Sequence, residues 1–136
     1  MCEDAKNMRE KTSDEYYTTS RLLELPAVQN HLKGNINNDF IDTNCGTGNW
    51  LIEILELKLK AGIDHKTSLE QLFGVELFED SAETCRERLL KGNESLRPIV
   101  ERNILCGDST KIKNWDFDGS DPYKSKQDLH FDSLFS

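Results

Sequence analysis

The chain has 136 residues, and its 17 Lys and Arg against 25 Asp and Glu give a formal net charge of -8. This length suits one domain with a real core, because two smaller units would each bury too little surface. The acidic balance argues against a protein that binds nucleic acid alone, since such proteins neutralise phosphates with faces rich in Lys and Arg. No apolar run approaches the roughly 18 residues of a membrane span, and the charged N-terminus lacks a signal peptide's apolar stretch. We therefore expect a globular protein of the cytoplasm that does not enter a membrane.

The first half of the chain is predicted to contain two helices and one strand. Residues 1–13 mix charges without a period and are predicted to form a flexible arm. Apolar positions over 14–32 predict a helix that is interrupted or ends near Pro26. A short buried strand is expected at 40–42. A helix over about 49–61 follows.

Local signals define the ends of these helices. Asn49 is predicted to be the N-cap of the helix that starts there, and Gly62 to stop it. Thr67 or Ser68 is predicted to cap one further helical turn.

The second half of the predicted domain continues the alternation. A strand is expected at 72–77 and a strand at 103–106, with a helix over 80–90 between them. Alternating elements of this kind form a parallel sheet with right-handed crossovers, and ligands bind beyond the carboxyl ends of its strands. Polar residues follow all three strands, at 42–49, at 76–78 and at 107–108.

The stretch 42–50, D-T-N-C-G-T-G-N-W, connects the first strand to a helix. Gly46 and Gly48 permit a tight turn and let a ligand approach the backbone without interference from a Cβ. The helix that begins near Asn49 presents N–H groups and a partial positive charge, which suit a carboxylate or another anion. The strand–turn–helix context therefore predicts a ligand site at this loop.

Two acidic residues follow the other strands. Glu76 is placed to accept two hydrogen bonds from a ribose diol, and the alternative is a solvated surface acid before a helix. Leu77 or Phe78 is placed to pack on an adenine face. Asp108 is placed to accept from an exocyclic amine, and the alternative is a turn or N-cap residue.

Four segments also match, in order and spacing, the motifs of one enzyme family. The stretch 42–51 looks like a D-P-x-C-G-T-G-N-F-L loop, and Tyr16-Tyr17-Thr18 is similar to a Y-T-P element before the first strand. Gly74-Val75-Glu76-Leu77 resembles a G-x-E segment, and Cys106-Gly107-Asp108 resembles a third-strand G-D. Thr43 and Thr19 replace the prolines of the first two motifs. From about 14 to 108 the chain thus resembles the S-adenosylmethionine-dependent adenine-N6 DNA methyltransferases, in a small phage-type version.

The resemblance implies a Rossmann-like class I methyltransferase fold, three-layer α/β/α with a parallel sheet. The chain would hold its cofactor-binding half at 14–114 and an acidic, aromatic tail at 115–136. The implied cofactor is S-adenosyl-L-methionine, whose methionine end would contact Thr18 and the glycine loop. Asp42 would meet its amino group, Glu76 its ribose and Asp108 its adenine. The implied cofactor-binding residues are Tyr17, Thr18, Asp42, Cys45, Gly46, Gly48, Asn49, Glu76, Leu77 and Asp108.

Methyl transfer in that family needs an N/D-P-P-Y/F element whose aromatic ring stacks on a flipped base. This chain has Ser120-Asp121-Pro122-Tyr123, with one proline. The resemblance makes Asp121, Pro122 and Tyr123 the catalytic candidates, and the alternative is an ordinary Asp-Pro turn. The implied function is methylation of adenine N6 in DNA. The alternative is a non-catalytic module that sequesters the cofactor or needs a partner chain.

The resemblance implies a fourth strand beside the first, and the segment before the Asp-Pro element, 115–119, is a poor buried strand because it contains two acids and a glycine. The edge of the first strand is therefore expected to be open. Open edges pair with something, and we expect the tail or a second copy of the chain, with a separate partner as the third option. Residues 131–135, from Phe131 to Phe135, are similar to the peptides that dock into bacterial sliding clamps. The alternative is that they cover the domain's own surface. We do not expect DNA to bind tightly to this acidic chain alone.

No metal site is predicted. The four cysteines are widely spaced and form no C-x-x-C pair. The three histidines also lack the spacing of zinc ligands.

Overall fold

The computed structural model describes residues 25–134, and a three-stranded parallel sheet organises them. The sheet order is β1 (Phe40–Asp42), β2 (Leu72–Glu76) and β3 (Ile104–Cys106). The helices are α1 (Pro26–Gly34), α2 (Asn49–Lys60), α3 (His65–Glu70), α4 (Glu79–Leu90), α5 (Arg97–Asn103) and α6 (Lys126–Ser133), with 3-10 turns at Glu94–Leu96 and Ser109–Lys111. This part of the chain is mixed α/β, and its sheet is compatible with a Rossmann-like arrangement.

The central strand β2 sets the register of the sheet. Asp42 of β1 is opposite Gly74, and Glu76 is opposite Cys106 of β3. Because both pairings are parallel, the residues that follow the three strands emerge at the same end of the sheet.

The main core lies between the sheet and the helices on one of its faces. Leu72 and Ile104 point to this face and belong to one buried cluster with side chains of α2, α3, α4 and α5. Gly74 lies on the same face, where an added Cβ would stand 3.1 Å from Leu51 Cδ1. The absence of a side chain at Gly74 lets α2 approach the sheet closely.

A smaller cluster covers the opposite face of β2. Val75 packs there with Ile112 and Phe117, and Phe73 lies against them. The ring centroids of Phe73 and Phe117 are 4.8 Å apart. The segment 112–117 therefore shields this face as irregular chain, without joining the sheet.

The predicted strands are confirmed within one residue at each end. Differences occur between them, where α5 fills a region for which no helix was predicted. Its last residue is Asn103, expected in the third strand, whose buried side chain donates to Leu69 O at 3.1 Å. This hydrogen bond joins the last residue of α5 to α3, and β3 begins at the next residue.

Two predicted helix caps are wrong. Gly48, with φ of 96°, is the N-cap of α2, and Asn49 is its first helical residue. The cap of α3 is Asp64, whose carboxylate accepts from the Thr67 N–H, so that helix begins earlier than predicted. The residue preferences rank Asn above Gly at an N-cap, so they favour Asn49 over the left-handed Gly48.

Pro26 begins α1 after the extended Leu25, so the chain is helical from this proline to Gly34. The part of the predicted helix over 14–24 lies outside the described residues. A proline is tolerated at a first helical position because its missing N–H needs no partner there. The predicted arm at 1–13 and the cofactor candidates Tyr17 and Thr18 lie outside the described residues.

The outer edge of β1 has no paired strand within residues 25–134. The predicted tail comes near this edge, and Trp115, Phe117 and Ile41 line one shallow groove there. Ile41 and Trp115 are about half exposed. The tail thus covers the neighbouring sheet face and leaves the backbone edge unpaired by described residues. None of the helices in this part of the chain is long and apolar enough to cross a membrane.

Candidate functional site

Three of the predicted site residues meet where β1 and β2 end. The Cys45 N–H donates to Val75 O at 3.0 Å, which holds the loop after β1 against β2. A hydrogen bond with Cys85 raises the pKa of the Cys45 thiol, and so do its burial and the negative charges of Asp42 and Glu76. The two carboxylates therefore lie close to the same thiol, at one end of the sheet.

Asp42 carries a carboxylate that is only half satisfied. Its Oδ1 accepts a hydrogen bond from the Asn44 N–H at 3.1 Å. Its Oδ2 is buried and has no hydrogen-bond partner among residues 25–134. Burial raises the pKa of Asp42, and the bond from Asn44 opposes that rise. A buried acceptor without a donor is costly, so this atom is suited to a donor or cation supplied from outside the chain.

Glu76 is buried, with 2% of its surface exposed, which excludes the alternative of a solvated surface acid. Its Oε1 accepts from the Leu77 N–H at 2.9 Å, and its backbone carbonyl accepts from Gly107 N. Phe78 is also buried, so Leu77 is the more accessible of the two residues predicted to pack on a ring. The Leu77 N–H thus holds the carboxylate at the end of β2, and the bond from Gly107 joins that end to the end of β3.

The glycine loop packs on α4 at Gly48. This residue has φ of 96°, and an added Cβ would stand 2.8 Å from Cys85 Sγ. Gly46 is also left-handed, with φ of 55°. Gly48 is therefore required by the close approach of the loop to α4, in addition to any approach of a ligand.

Substitution of Gly48 by alanine tests this contact. We expect Gly48→Ala to lower the free energy of unfolding by about 2 kcal/mol, because it adds a contact with Cys85 to the left-handed backbone penalty. Gly62→Ala is the matched control, since Gly62 has φ of 90° and no atom within 4 Å of an added Cβ. Its cost should be about 1 kcal/mol. Urea unfolding measures both values.

A Cys85→Ala background separates the two contributions. There, Gly48→Ala should cost no more than Gly62→Ala, because the sulfur that an added Cβ meets is gone. Equal costs for the two glycine substitutions in the parent protein would show that the approach to Cys85 does not matter.

Arg88 of α4 holds the same loop from outside. Its Nη1 donates to Thr47 O at 2.9 Å and to Asn49 Oδ1 at 2.8 Å, and it lies 3.4 Å from Thr47 Oγ1. Sequence reasoning missed this residue, because a basic residue late in a helix is explained by the helix dipole alone. No spacing rule connects it to a loop some 40 positions earlier.

Asp108 follows β3 and caps the 3-10 turn Ser109–Lys111. Its Oδ1 accepts from the Thr110 N–H at 2.9 Å and from the Thr110 hydroxyl at 2.6 Å. The hydrogen bond from the Thr110 side chain lowers the pKa of Asp108. Asp108 therefore has the N-cap role that was the alternative to a ligand-binding role, and its carboxylate is already engaged.

The predicted catalytic element forms a turn that reaches the same end of the sheet. Asp121 Oδ1 accepts from the Tyr123 N–H at 2.9 Å, and Pro122 O accepts from the N–H groups of Lys113 and Asn114. The Tyr123 hydroxyl accepts a hydrogen bond from the Asp108 N–H at 2.9 Å. An Asp-Pro turn thus places an aromatic residue beside the end of β3.

Comparison of the chain with protein-family models, with curated proteins and with solved structures gave no match. Residues 25–134 contain no group of three or more His, Cys, Asp or Glu side chains able to hold a metal ion. The candidate site is therefore defined by its geometry: an unsatisfied carboxylate, a glycine loop at a helix N-terminus, and a buried glutamate.

Proposed function

We propose that this chain binds S-adenosylmethionine at the carboxyl end of its sheet, as expected from its resemblance to adenine-N6 DNA methyltransferases. The observation that carries the proposal is the buried Oδ2 of Asp42, for which the described part of the chain supplies no donor. The cofactor has an ammonium group that would supply both the donor and a compensating charge. A charge-assisted bond of this kind is about twice as strong as a neutral one.

Other parts of the site fit the same ligand. Gly48 gives α2 no side-chain cap, and the partial positive charge at this helix N-terminus suits the cofactor's carboxylate. Glu76 would accept hydrogen bonds from the ribose hydroxyls. In this assignment the ribose lies at the end of β2, and the ammonium lies at the end of the neighbouring strand β1. A zwitterion with a sulfonium centre suits a site that combines two carboxylates with a helix N-terminus better than a diphosphate does.

The proposed reaction is transfer of a methyl group to an adenine amine of DNA. The bound sulfonium supplies an already activated methyl group, so the chain would contribute mainly orientation. Asp121 and Tyr123 would position the target amine and stack on its base, because their turn meets the end of β3.

A non-catalytic module is the second candidate, and one observation favours it. Thr110 engages the carboxylate of Asp108, and the Tyr123 hydroxyl engages its N–H, so the groups assigned to adenine are internally bonded. The net charge of -8 would also repel free DNA. Such a module would sequester the cofactor or act with a partner chain.

Calorimetry with S-adenosylmethionine tests the shared part of both candidates. We expect saturable binding by the parent protein and about tenfold weaker binding by Glu76→Gln, which keeps the shape but removes the ionised acceptor. Glu70→Gln is the control, because Glu70 is exposed at the end of α3. A parent protein that gives no heat of binding would contradict both candidates.

Radiolabelled methyl transfer separates the two candidates. A methyltransferase should label adenine in duplex DNA, and this labelling should fall at least a hundredfold in Tyr123→Ala. A binding module should take up the cofactor and label neither DNA, RNA nor protein.

A further inference from the structure

We infer that Arg88 is a positioning residue for the glycine loop, and that its guanidinium sets the loop conformation on which ligand binding depends. This inference rests on the proposed function for its ligand. The contact itself does not, because it joins α4 to the loop in the protein alone. Arg88 is not among the residues that would contact the cofactor, and it acts through Thr47 and Asn49.

The contacts of Arg88 are concentrated on one segment. Its Nη1 donates to the carbonyl of Thr47, the residue between the two left-handed glycines, at 2.9 Å. The same nitrogen donates to Asn49 Oδ1, at the first position of α2. One guanidinium nitrogen therefore fixes the loop on both sides of Gly48.

Two backbone hydrogen bonds hold the first part of the loop. Backbone bonds run from Cys45 N to Val75 O and from Gly48 N to Cys45 O, both on the strand side of the loop. Gly46 and Gly48 have φ of 55° and 96°, a region that glycine enters as readily as the right-handed one. Without a constraint, two glycines in four residues would give the loop several conformations, and a ligand would have to select one of them.

The charge of Arg88 acts in the same direction. The guanidinium lies beside the N-terminus of α2, where the partial charge of the helix is also positive. The repulsion between the guanidinium and the positive end of α2 raises the free energy of the ligand-free protein. That cost is relieved when a carboxylate binds to the first turn, so the arrangement favours an anionic group over a neutral one.

Two measurements on the full chain test this role. Hydrogen exchange with mass spectrometry should show about tenfold faster exchange in Arg88→Ala for amides over 46–49, with β2 and α4 unchanged. Calorimetry should show about tenfold weaker binding of S-adenosylmethionine, with a midpoint of thermal unfolding within a few degrees of the parent value. Arg88→Lys should restore part of both effects, because its ammonium keeps the charge and one hydrogen bond.

The control is Lys66→Ala, which removes one positive charge from an exposed position of α3 and should leave both measurements unchanged. Unchanged exchange over 46–49 in Arg88→Ala would overturn the inference whether or not the protein binds the cofactor. Faster exchange with unaltered affinity would also overturn it. A parent protein that does not bind refutes the proposed function, and the exchange experiment still decides whether Arg88 orders the loop.

Discussion

Replacing Asp42 by asparagine is expected to stabilise the ligand-free protein while removing its affinity for the cofactor. The free energy of unfolding should rise by about 1 kcal/mol, because a buried charged oxygen without a donor becomes part of a neutral amide. Binding of S-adenosylmethionine should weaken about a hundredfold, because the proposed partner of its ammonium loses its charge. A substitution that raises the free energy of unfolding and weakens binding identifies a residue that serves binding at the expense of stability.

The pH dependence of stability gives an independent check on Asp42. Its pKa in the folded protein is raised, so between the ordinary carboxyl pKa near 3.8 and the raised value the folded state binds more protons than the unfolded state. The contribution of Asp42 to the free energy of unfolding is therefore complete at low pH, and it is lost as the pH rises through the pKa of Asp42 in the folded protein. Urea unfolding from pH 4 upwards should show this loss in the parent and not in Asp42→Asn.

The matched control for this experiment is Glu70→Gln, which changes an exposed acid at the end of α3. It should leave stability within about 0.5 kcal/mol of the parent and leave cofactor affinity unchanged. A loss of stability in Asp42→Asn would show that the native carboxylate is satisfied in solution. It would remove the main support for an ammonium site.

Replacing Lys58 by methionine is expected to produce the largest loss of stability, about 3 kcal/mol. Lys58 is fully buried in α2, with 0% of its surface exposed. Its Nζ donates to Ile36 O at 2.6 Å, to Asn38 O at 2.8 Å and to Gln71 Oε1 at 2.6 Å. Burial lowers its pKa, and the charge of Asp39 opposes that change. Methionine fills the space but leaves all three acceptors without this donor.

Lys60→Met provides the comparison, because Lys60 is exposed and is the last residue of the same helix. Its cost in urea unfolding should be within about 0.5 kcal/mol. The loop 35–39, which Lys58 ties to α2, leads directly into β1, so Lys58→Met should also weaken cofactor binding. A cost below 1 kcal/mol would show that water replaces the ammonium at these carbonyls.

The sequence was sufficient to predict the three strands, the parallel direction in which they run and the position of the glycine loop. These features depend on local patterns: short apolar runs, helical spacing, and glycines at a strand–helix junction.

The features that could not be predicted depend on contacts between distant residues. The N-cap of α2 is Gly48 because Cys85 leaves no room for a Cβ, a fact that no cap preference contains. The N-cap role of Asp108 was one of two alternatives that the sequence left open, and the hydrogen bond from the Thr110 N–H shows that role. Lys58 and Arg88 are ordinary helical residues by sequence, and only their acceptors distinguish them.

The attachment of the glycine loop to α4 also dictates an order of folding. Gly48 is shaped by Cys85, and Thr47 is held by Arg88, a residue 41 positions later in the chain. The chain loses conformational entropy when this segment closes, before the contact can stabilise it. We therefore expect the loop to reach its native form only after α4 has docked. During synthesis, the ribosome must release most of α4 before the ligand site exists. A nascent chain that ends before Cys85 would carry every glycine of the loop and still be unable to form it.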